Sequence, residues 1–326
     1  MPRHKNYVPH GVIPACLLPF LDDFSIDEPS FRRHLRDVAG VKGITAITVN
    51  GHASEIASCT FDEQRRVMDI SADEIGNDIP IIHGVYAEGS LEAARIAKAA
   101  QQGGASALLV FPPGPLTLGQ RPEMVLTHFK HIADASDLPI IAFQYPLGGG
   151  QGYPFETLLK LLEAVPTIRA IKDWTPQVPL HERHIQDLQS LPRPINLLTT
   201  NSAWLLSSLV LGCNGLLSGA GSVIADFQVR MFEAVQANDL ATARRANDTI
   251  RPLMQAFYSD PFVDMHNRMK EALVLLGRQP RAVVRPPLVK IPEAEISRLH
   301  DALIAAGMIS VESPRDLRDR KVRFAT

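Results

Sequence analysis

Short runs of β-branched and other apolar residues recur along the chain: Val12 to Leu18, Ile44 to Asn50, Ile79 to Val85, Ala107 to Phe111, Pro139 to Phe143, Ile168 to Lys172, Ile195 to Thr200 and Gly215 to Ser218. Between them lie stretches whose apolar positions repeat at helical spacing. Most runs are about 30 residues apart, the repeat of successive strand–helix units. Several are apolar at every position, which predicts parallel strands covered on both faces. Eight such units predict a (β/α)8 barrel.

The helical stretches carry end signals. Ser90 is an N-cap candidate for a helix through Ala100, which Gly103 and Gly104 can stop. Asp62 and Glu63 suit the first turn of another that continues through Val67, Met68 and Ile70. After the eighth run the pattern is helical only, over 226–256, 262–276 and 293–306. It predicts a C-terminal helical appendage packed on the barrel. The expected division is a barrel core over 8–222, appended helices over 223–310 and a tail over 311–326, with 281–287 a proline-punctuated connector and the basic stretch 315–323 a solvated end. A length of 326 residues fits one barrel plus an appendage, or two ordinary domains.

Composition narrows the function classes. A chain that is 45% hydrophobic and 21% charged has ample material for a globular core. A net charge of −2 leaves no basic footprint for nucleic acid or an anionic membrane, so the expected partner is a small molecule. Cys16, Cys59 and Cys213 are odd in number and widely spaced, which indicates neither a disulfide framework nor a zinc knuckle and fits a reducing cytoplasm. No run approaches the roughly 20 apolar residues of a membrane span, and the prolines after the basic N-terminus do not read as a signal peptide.

Lys172 closes the sixth apolar run, where a barrel strand would deliver its amine to the mouth that binds substrates. Burial favours the neutral amine, and a neutral amine attacks a carbonyl carbon to form a Schiff base. A solvated strand-end lysine is the alternative. His181 and His184 share a helix face but lack a third ligand, so an exposed helix start is expected there rather than a metal site. The segment Gly148–Gly152 lacks the lysine and hydroxyl of a nucleotide loop and reads as a lid, a turn or room for a bulky substrate. Ser218 and Gly219 open a small-residue turn that either binds a substrate carboxylate or only closes tightly.

With eight strands and Lys172 ending the sixth, the chain resembles the dihydrodipicolinate synthase and N-acetylneuraminate lyase family of Schiff-base aldolases over roughly residues 11–305. The matching segments are Gly11 to Phe20, Gly51-His52-Ala53-Ser54-Glu55, Pro112-Pro113, Ile171-Lys172-Asp173 and Arg285 to Val289. The resemblance implies a barrel with C-terminal helices, a homo-oligomer (dimer or tetramer), and a lysine, here Lys172, that binds pyruvate or another 2-oxo acid as an imine without metal or organic cofactor. It places the substrate carboxylate on the loop Gly51, Ala53, Ser54 and Glu55, with Glu55 a structural acceptor or a catalyst. Asn201 stands where relatives face the distal end of the substrate, and Trp174 walls the pocket.

The departures are as informative. Phe143 stands in place of the family's catalytic tyrosine, Gly114 and Pro115 replace its other tyrosines, His52 replaces a threonine, and Gly148 replaces the arginine that holds the synthases' second substrate. His52, with an ordinary pKa near 6.5, and Tyr145, on the strand face of Phe143, are alternative proton carriers. The expectation is a class I lyase on pyruvate or a longer 2-oxo acid that is not a true dihydrodipicolinate synthase. The rivals are a non-catalytic 2-oxo-acid-binding protein and a metal-dependent barrel aldolase, the latter disfavoured because no His/Asp/Glu cluster sits at strand ends.

Overall fold

The computed structural model describes residue 4 and residues 6–310; the expected tail and its basic stretch lie outside the described residues. Eight parallel strands, β1 Gly11–Pro14, β2 Ile47–Val49, β3 Ile81–Val85, β4 Ala107–Val110, β5 Ile140–Gln144, β6 Ile168–Asp173, β7 Asn196–Thr199 and β8 Gly215–Ser218, pair in the order β1-β8-β7-β6-β5-β4-β3-β2. Parallel bridges Val12↔Ile44 and Ala15↔Thr48 bring β2 back to β1. The sheet is therefore a nearly closed (β/α)8 barrel, as the run spacing predicts. Nearly every strand residue is buried, because side chains pointing inward meet the barrel core and those pointing outward meet helices.

Seven helices, α1 Glu28–Ala39, α2 Phe61–Ile75, α3 Ser90–Gly103, α4 Pro122–Ala135, α5 Phe155–Ala164, α6 Val178–Gln189 and α7 Leu205–Val210, connect the strands. The end signals mostly act where the sequence puts them. Thr60 and Glu63 form a reciprocal capping box at the start of α2, and Gly104 stops α3 in the left-handed conformation. Ser90 is one residue inside α3, whose N-cap is Gly89; its hydroxyl bonds His128 Nδ1 instead, at 3.1 Å.

The β-ladder is shorter than the apolar runs. The first run leaves it at Pro14, which has no N–H to donate, although Ala15 and Cys16 still donate to Ser218 and Thr48 on the two neighbouring strands. The helical stretch 226–256 is two helices, α8 Gly221–Gln236 and α9 Leu240–Phe257. Asn238 turns left-handed between them, and Asp239 caps α9 by accepting from Thr242 N at 2.9 Å. The α8 helix packs on α1, β1 and β8 as part of the barrel wall, whereas α10 Met265–Leu275 and α11 Glu293–Ala305 pack with α9. Among the described residues, no helix is long and apolar enough to cross a membrane.

One close approach fixes the loop after β2. A Cβ on Gly84 of β3 would stand 1.8 Å from the carbonyl oxygen of Asn50, so only glycine lets that loop cross the end of β3. The following residues, Gly51 to Glu55, are thereby brought to the carboxyl end of the barrel.

Candidate active site

Lys172 is one residue from the end of β6, opposite Phe143 of β5 and Leu198 of β7. The residue is only 5% exposed, and Nζ lies 4.0 Å from the centroid of the Phe143 ring. Loss of hydration pushes its pKa down to about 7, so much of the amine is uncharged near neutrality. The cavity above it is lined by Ala15, Gly51, His52, Ala53, Phe143, Trp174, Thr200 and Gly219 among others.

Side chains alternate along a strand, so Asp173 points the opposite way, toward α6. Its Oδ2 takes His181 Nδ1 at 2.9 Å and His184 Nδ1 at 2.8 Å, while Oδ1 accepts from Thr175 N at 2.8 Å. Burial pushes the Asp173 pKa up, but the two imidazole bonds outweigh it and hold the carboxyl below its ordinary value. Both histidines are fully buried, which overturns the exposed helix start expected at this position. A buried carboxylate needs donors, and α6 supplies them from the face it shares with Ile185 and Leu188. Among the described residues, no group of three or more His, Cys, Asp or Glu is placed to hold a metal ion.

His52 to Ser54 form a single 3-10 turn, and Glu55 closes it at φ +53°. His52 Nε2 and Tyr145 Oη are hydrogen-bonded at 2.7 Å, so the two alternative proton carriers form one unit. Burial first, and the neighbouring Lys172 second, lower the His52 pKa to about 3. The imidazole is therefore neutral near pH 7, where an ordinary histidine would begin to titrate. Desolvation likewise raises the Tyr145 phenol above its ordinary value.

Gly51 and Ala53 line the cavity with His52, whereas Ser54 and Glu55 turn away from it. Ser54 Oγ donates to Cys16 O at 2.8 Å. The Glu55 carboxylate accepts from Lys270 Nζ at 2.5 Å and from Arg285 N at 2.9 Å, which makes it the acceptor that ties the loop to α10 and the 281–287 connector. Asn201 and Ser218 also stand behind the cavity wall. Asn201 Nδ2 donates to Thr175 O at 3.2 Å; Ser218 Oγ shares a hydrogen bond with Ser202 Oγ at 2.7 Å and accepts from Gln228 Nε2 at 3.2 Å. Their neighbours Thr200 and Gly219 reach the cavity instead. The Gly148–Gly152 segment is a turn on the rim, held by Gln120, whose amide donates to Gly150 O at 2.9 Å and Gly152 O at 2.7 Å.

The sequence reading missed the contribution of the appendage. Tyr258, Phe262, Met265 and His266, from the end of α9 to the start of α10, line the cavity. Gly219 makes room for one of them, since a Cβ there would stand 2.8 Å from His266 Nε2. Burial first, then electrostatic coupling to His52, Lys172 and Lys270, push the His266 pKa well down. The available signal was the pair His266 and Lys270, four residues apart on a helix that buries polar Asn267, Arg268 and Glu271 as well as Met269, Ala272 and Leu273.

Comparison with known proteins agrees with this architecture. The model of the dihydrodipicolinate synthetase family matches residues 8–306. A 4-hydroxy-tetrahydrodipicolinate synthase from Methanopyrus kandleri is 29% identical over 304 residues, covering 92% of this chain and 97% of its own. An uncharacterised DapA-like lyase from Halobacterium salinarum is 28% identical over 302 residues, covering 92% of this chain and 95% of its own. Among solved structures, a monomeric dihydrodipicolinate synthase variant superposes with a TM-score of 0.85 at 23% identity, covering 92% of this chain and 98% of its own. YagE, a prophage protein of that family from E. coli K12 in complex with pyruvate, does so with a TM-score of 0.83 at 23% identity, covering 92% and 99%.

Proposed function

We propose, given that this chain belongs to the dihydrodipicolinate synthetase family, that it is a class I lyase acting through an imine between Lys172 and pyruvate or a longer 2-oxo acid. The observation that carries this reading is the desolvated amine at the end of β6, with its pKa near 7. Such an amine is both nucleophilic and aimed into a cavity.

The first N–H groups of a short helical turn have no partner inside it, so those of His52 and Ala53 are available to the substrate carboxylate. Lys172 Nζ adds to C2 and the carbonyl oxygen leaves as water, giving an iminium. In aldol cleavage the C3–C4 bond breaks, its electron pair passes into the iminium to form an enamine, and the C4 hydroxyl loses its proton. In dehydration C3 loses a proton to form the enamine, and the C4 hydroxyl leaves as water. Protonation and hydrolysis then free the product and Lys172. The cationic nitrogen is the electron sink, so the reaction needs no metal or organic cofactor. Tyr145 and His52, joined at 2.7 Å, carry the protons that the family's tyrosine carries in relatives.

Gly148 stands in place of the synthases' arginine, with nothing within 4 Å of a Cβ built on it, so the reading excludes the dihydrodipicolinate synthase reaction itself. The resemblance extends the proposal to a homo-oligomer, and the three unpaired cysteines fit a cytoplasmic location. The main rival, a 2-oxo-acid-binding protein without turnover, is disfavoured by the proton-carrying pair beside Lys172. Proton NMR of pyruvate in D2O separates them. An enamine-forming enzyme exchanges the C3 protons for deuterium, and Lys172→Ala does not. Binding of pyruvate without exchange would make the protein a binder.

A further inference from the structure

The rings around Lys172 touch one another in an unbroken series across the mouth of the barrel. Phe111 meets Phe143 at a centroid separation of 5.4 Å, Phe143 meets Tyr145 at 4.6 Å, Tyr145 meets Trp174 at 5.6 Å and Trp174 stacks on Phe262 at 5.4 Å. Tyr258 stacks on the far side at 5.8 Å from Phe262. The series begins on the barrel strands and ends on the appendage, so it surrounds the cavity from both structural layers. Phe111 and Phe143 are buried, but Tyr145, Trp174, Phe262 and Tyr258 are only partly so and keep ring surface at the mouth.

The remaining lining is short of groups that recognise a polar tail. Lys172 is its one residue of the Lys, Arg, Asp and Glu set. His52 is engaged with Tyr145 and the Tyr258 hydroxyl with Ser202 and Ser218, which leaves only Thr200 and His266 as further polar side chains of the lining. A second carboxylate or a phosphate taken from water needs a cationic partner, and a polyhydroxylated chain needs free donors and acceptors. Rings instead offer faces and edges to another ring, and Met265 adds a thioether that packs well on aromatics.

We propose that the substrate carries a neutral aromatic ring beyond the bond that is broken or made, so that the protein cleaves a 4-aryl-4-hydroxy-2-oxo acid or, in reverse, joins pyruvate to an aryl aldehyde. This rests on the imine reading above. The cavity over Lys172, about 40 Å³, suits the small 2-oxo-acid end, and the ring extends from it along the lining residues Trp174 and Phe262 toward Tyr145, which packs on Trp174. Cleavage follows the steps already given: the C3–C4 bond breaks, the C4 hydroxyl proton leaves, and the departing half is the aryl aldehyde.

The test compares two acids alike at the reacting end. Calorimetric titration of the full chain with 2-oxo-4-phenylbutanoate and with 2-oxopentanedioate measures binding, and borohydride treatment with each measures imine formation separately. The phenyl acid is expected to bind at least about tenfold more tightly, in line with a ring added to an aromatic site. Trp174→Ala is expected to cut that preference to about twofold or less. Equal or tighter binding of the dicarboxylate would overturn the proposal, as would a preference unaffected by Trp174→Ala together with Phe262→Ala. A phenyl-acid preference without any covalent label would leave the aromatic site standing and remove the imine reading. Labelling by both acids with no preference would do the reverse.

Discussion

Replacing Lys172 by methionine is expected to stabilise the protein, and to do so most at low pH. Burial lowers the folded-state pKa of this lysine from 10.5 to about 7. Between those values the unfolded chain binds the proton that the folded chain has lost, so wild-type stability rises as pH increases across the window. Below about pH 7 both states are protonated, and the folded state bears the full cost of a desolvated ammonium. At about 1.36 kcal/mol per unit the upper bound on that cost is roughly 5 kcal/mol. Relaxation and water entry reduce it, and methionine keeps most of the packing of the lysine stem, so a gain of about 2–4 kcal/mol is expected at pH 6. For a chain of this size that corresponds to a rise of roughly 3–6 °C in Tm. Thermal unfolding of both proteins, followed by circular dichroism at about pH 6 and about pH 10, reads the difference directly. The gain should shrink toward pH 10, leaving only the part due to packing. A gain that is equal at both pH values, or larger at the higher one, would refute the claim that Lys172 is held neutral by desolvation.

Three further outcomes follow from the site. His52→Gln and Tyr145→Phe should each lower pyruvate C3 exchange by about 10²- to 10⁴-fold, and the double variant should be no worse than the more severe single one, because bonded partners act as a unit; losses that multiply would show two separate roles. Glu55→Gln should cost about 3–5 kcal/mol in urea unfolding, since it leaves the Lys270 ammonium buried without its counter-charge, and adding Lys270→Met should restore most of it; an unchanged midpoint in the single variant would remove the structural role of the pair. In a coupled reductase assay the protein should not condense pyruvate with aspartate semialdehyde at a useful rate, because the rim offers Gly148 where a carboxylate needs a cation; efficient turnover would show that the pocket is misplaced.

The barrel was legible because its signal is local. Each strand is a run of residues buried on both faces, and helix limits such as the acidic first turn at Asp62 and Glu63 and the stop at Gly104 act within one turn of chain. Lys172 was legible for the same reason, as a charge ending an apolar run. What the sequence withheld depends on contacts between distant segments. Glu55 and Lys270 are 215 positions apart, and nothing near either predicts their pairing. His52 and Tyr145 each stood out, but their bond depends on how the loop after β2 crosses the strand ends, which Gly84 allows. The burial of His181 and His184 depends on the Asp173 carboxylate pointing toward α6, which the pattern of α6 alone does not carry. The appendage residues Tyr258, Phe262 and His266 were missed because docking of α9 and α10, not their local pattern, turns them into the mouth.

The central claim is that the amine of Lys172 forms an imine with a 2-oxo acid. Borohydride reduction in the presence of pyruvate, followed by intact mass and peptide mapping, tests it most directly, because reduction makes the transient bond permanent where it formed. The account predicts one reduced pyruvate adduct per chain, located on Lys172 and absent from Lys172→Ala. Adducts scattered over surface lysines, equal labelling of Lys172→Ala, or no adduct with any 2-oxo acid would contradict it.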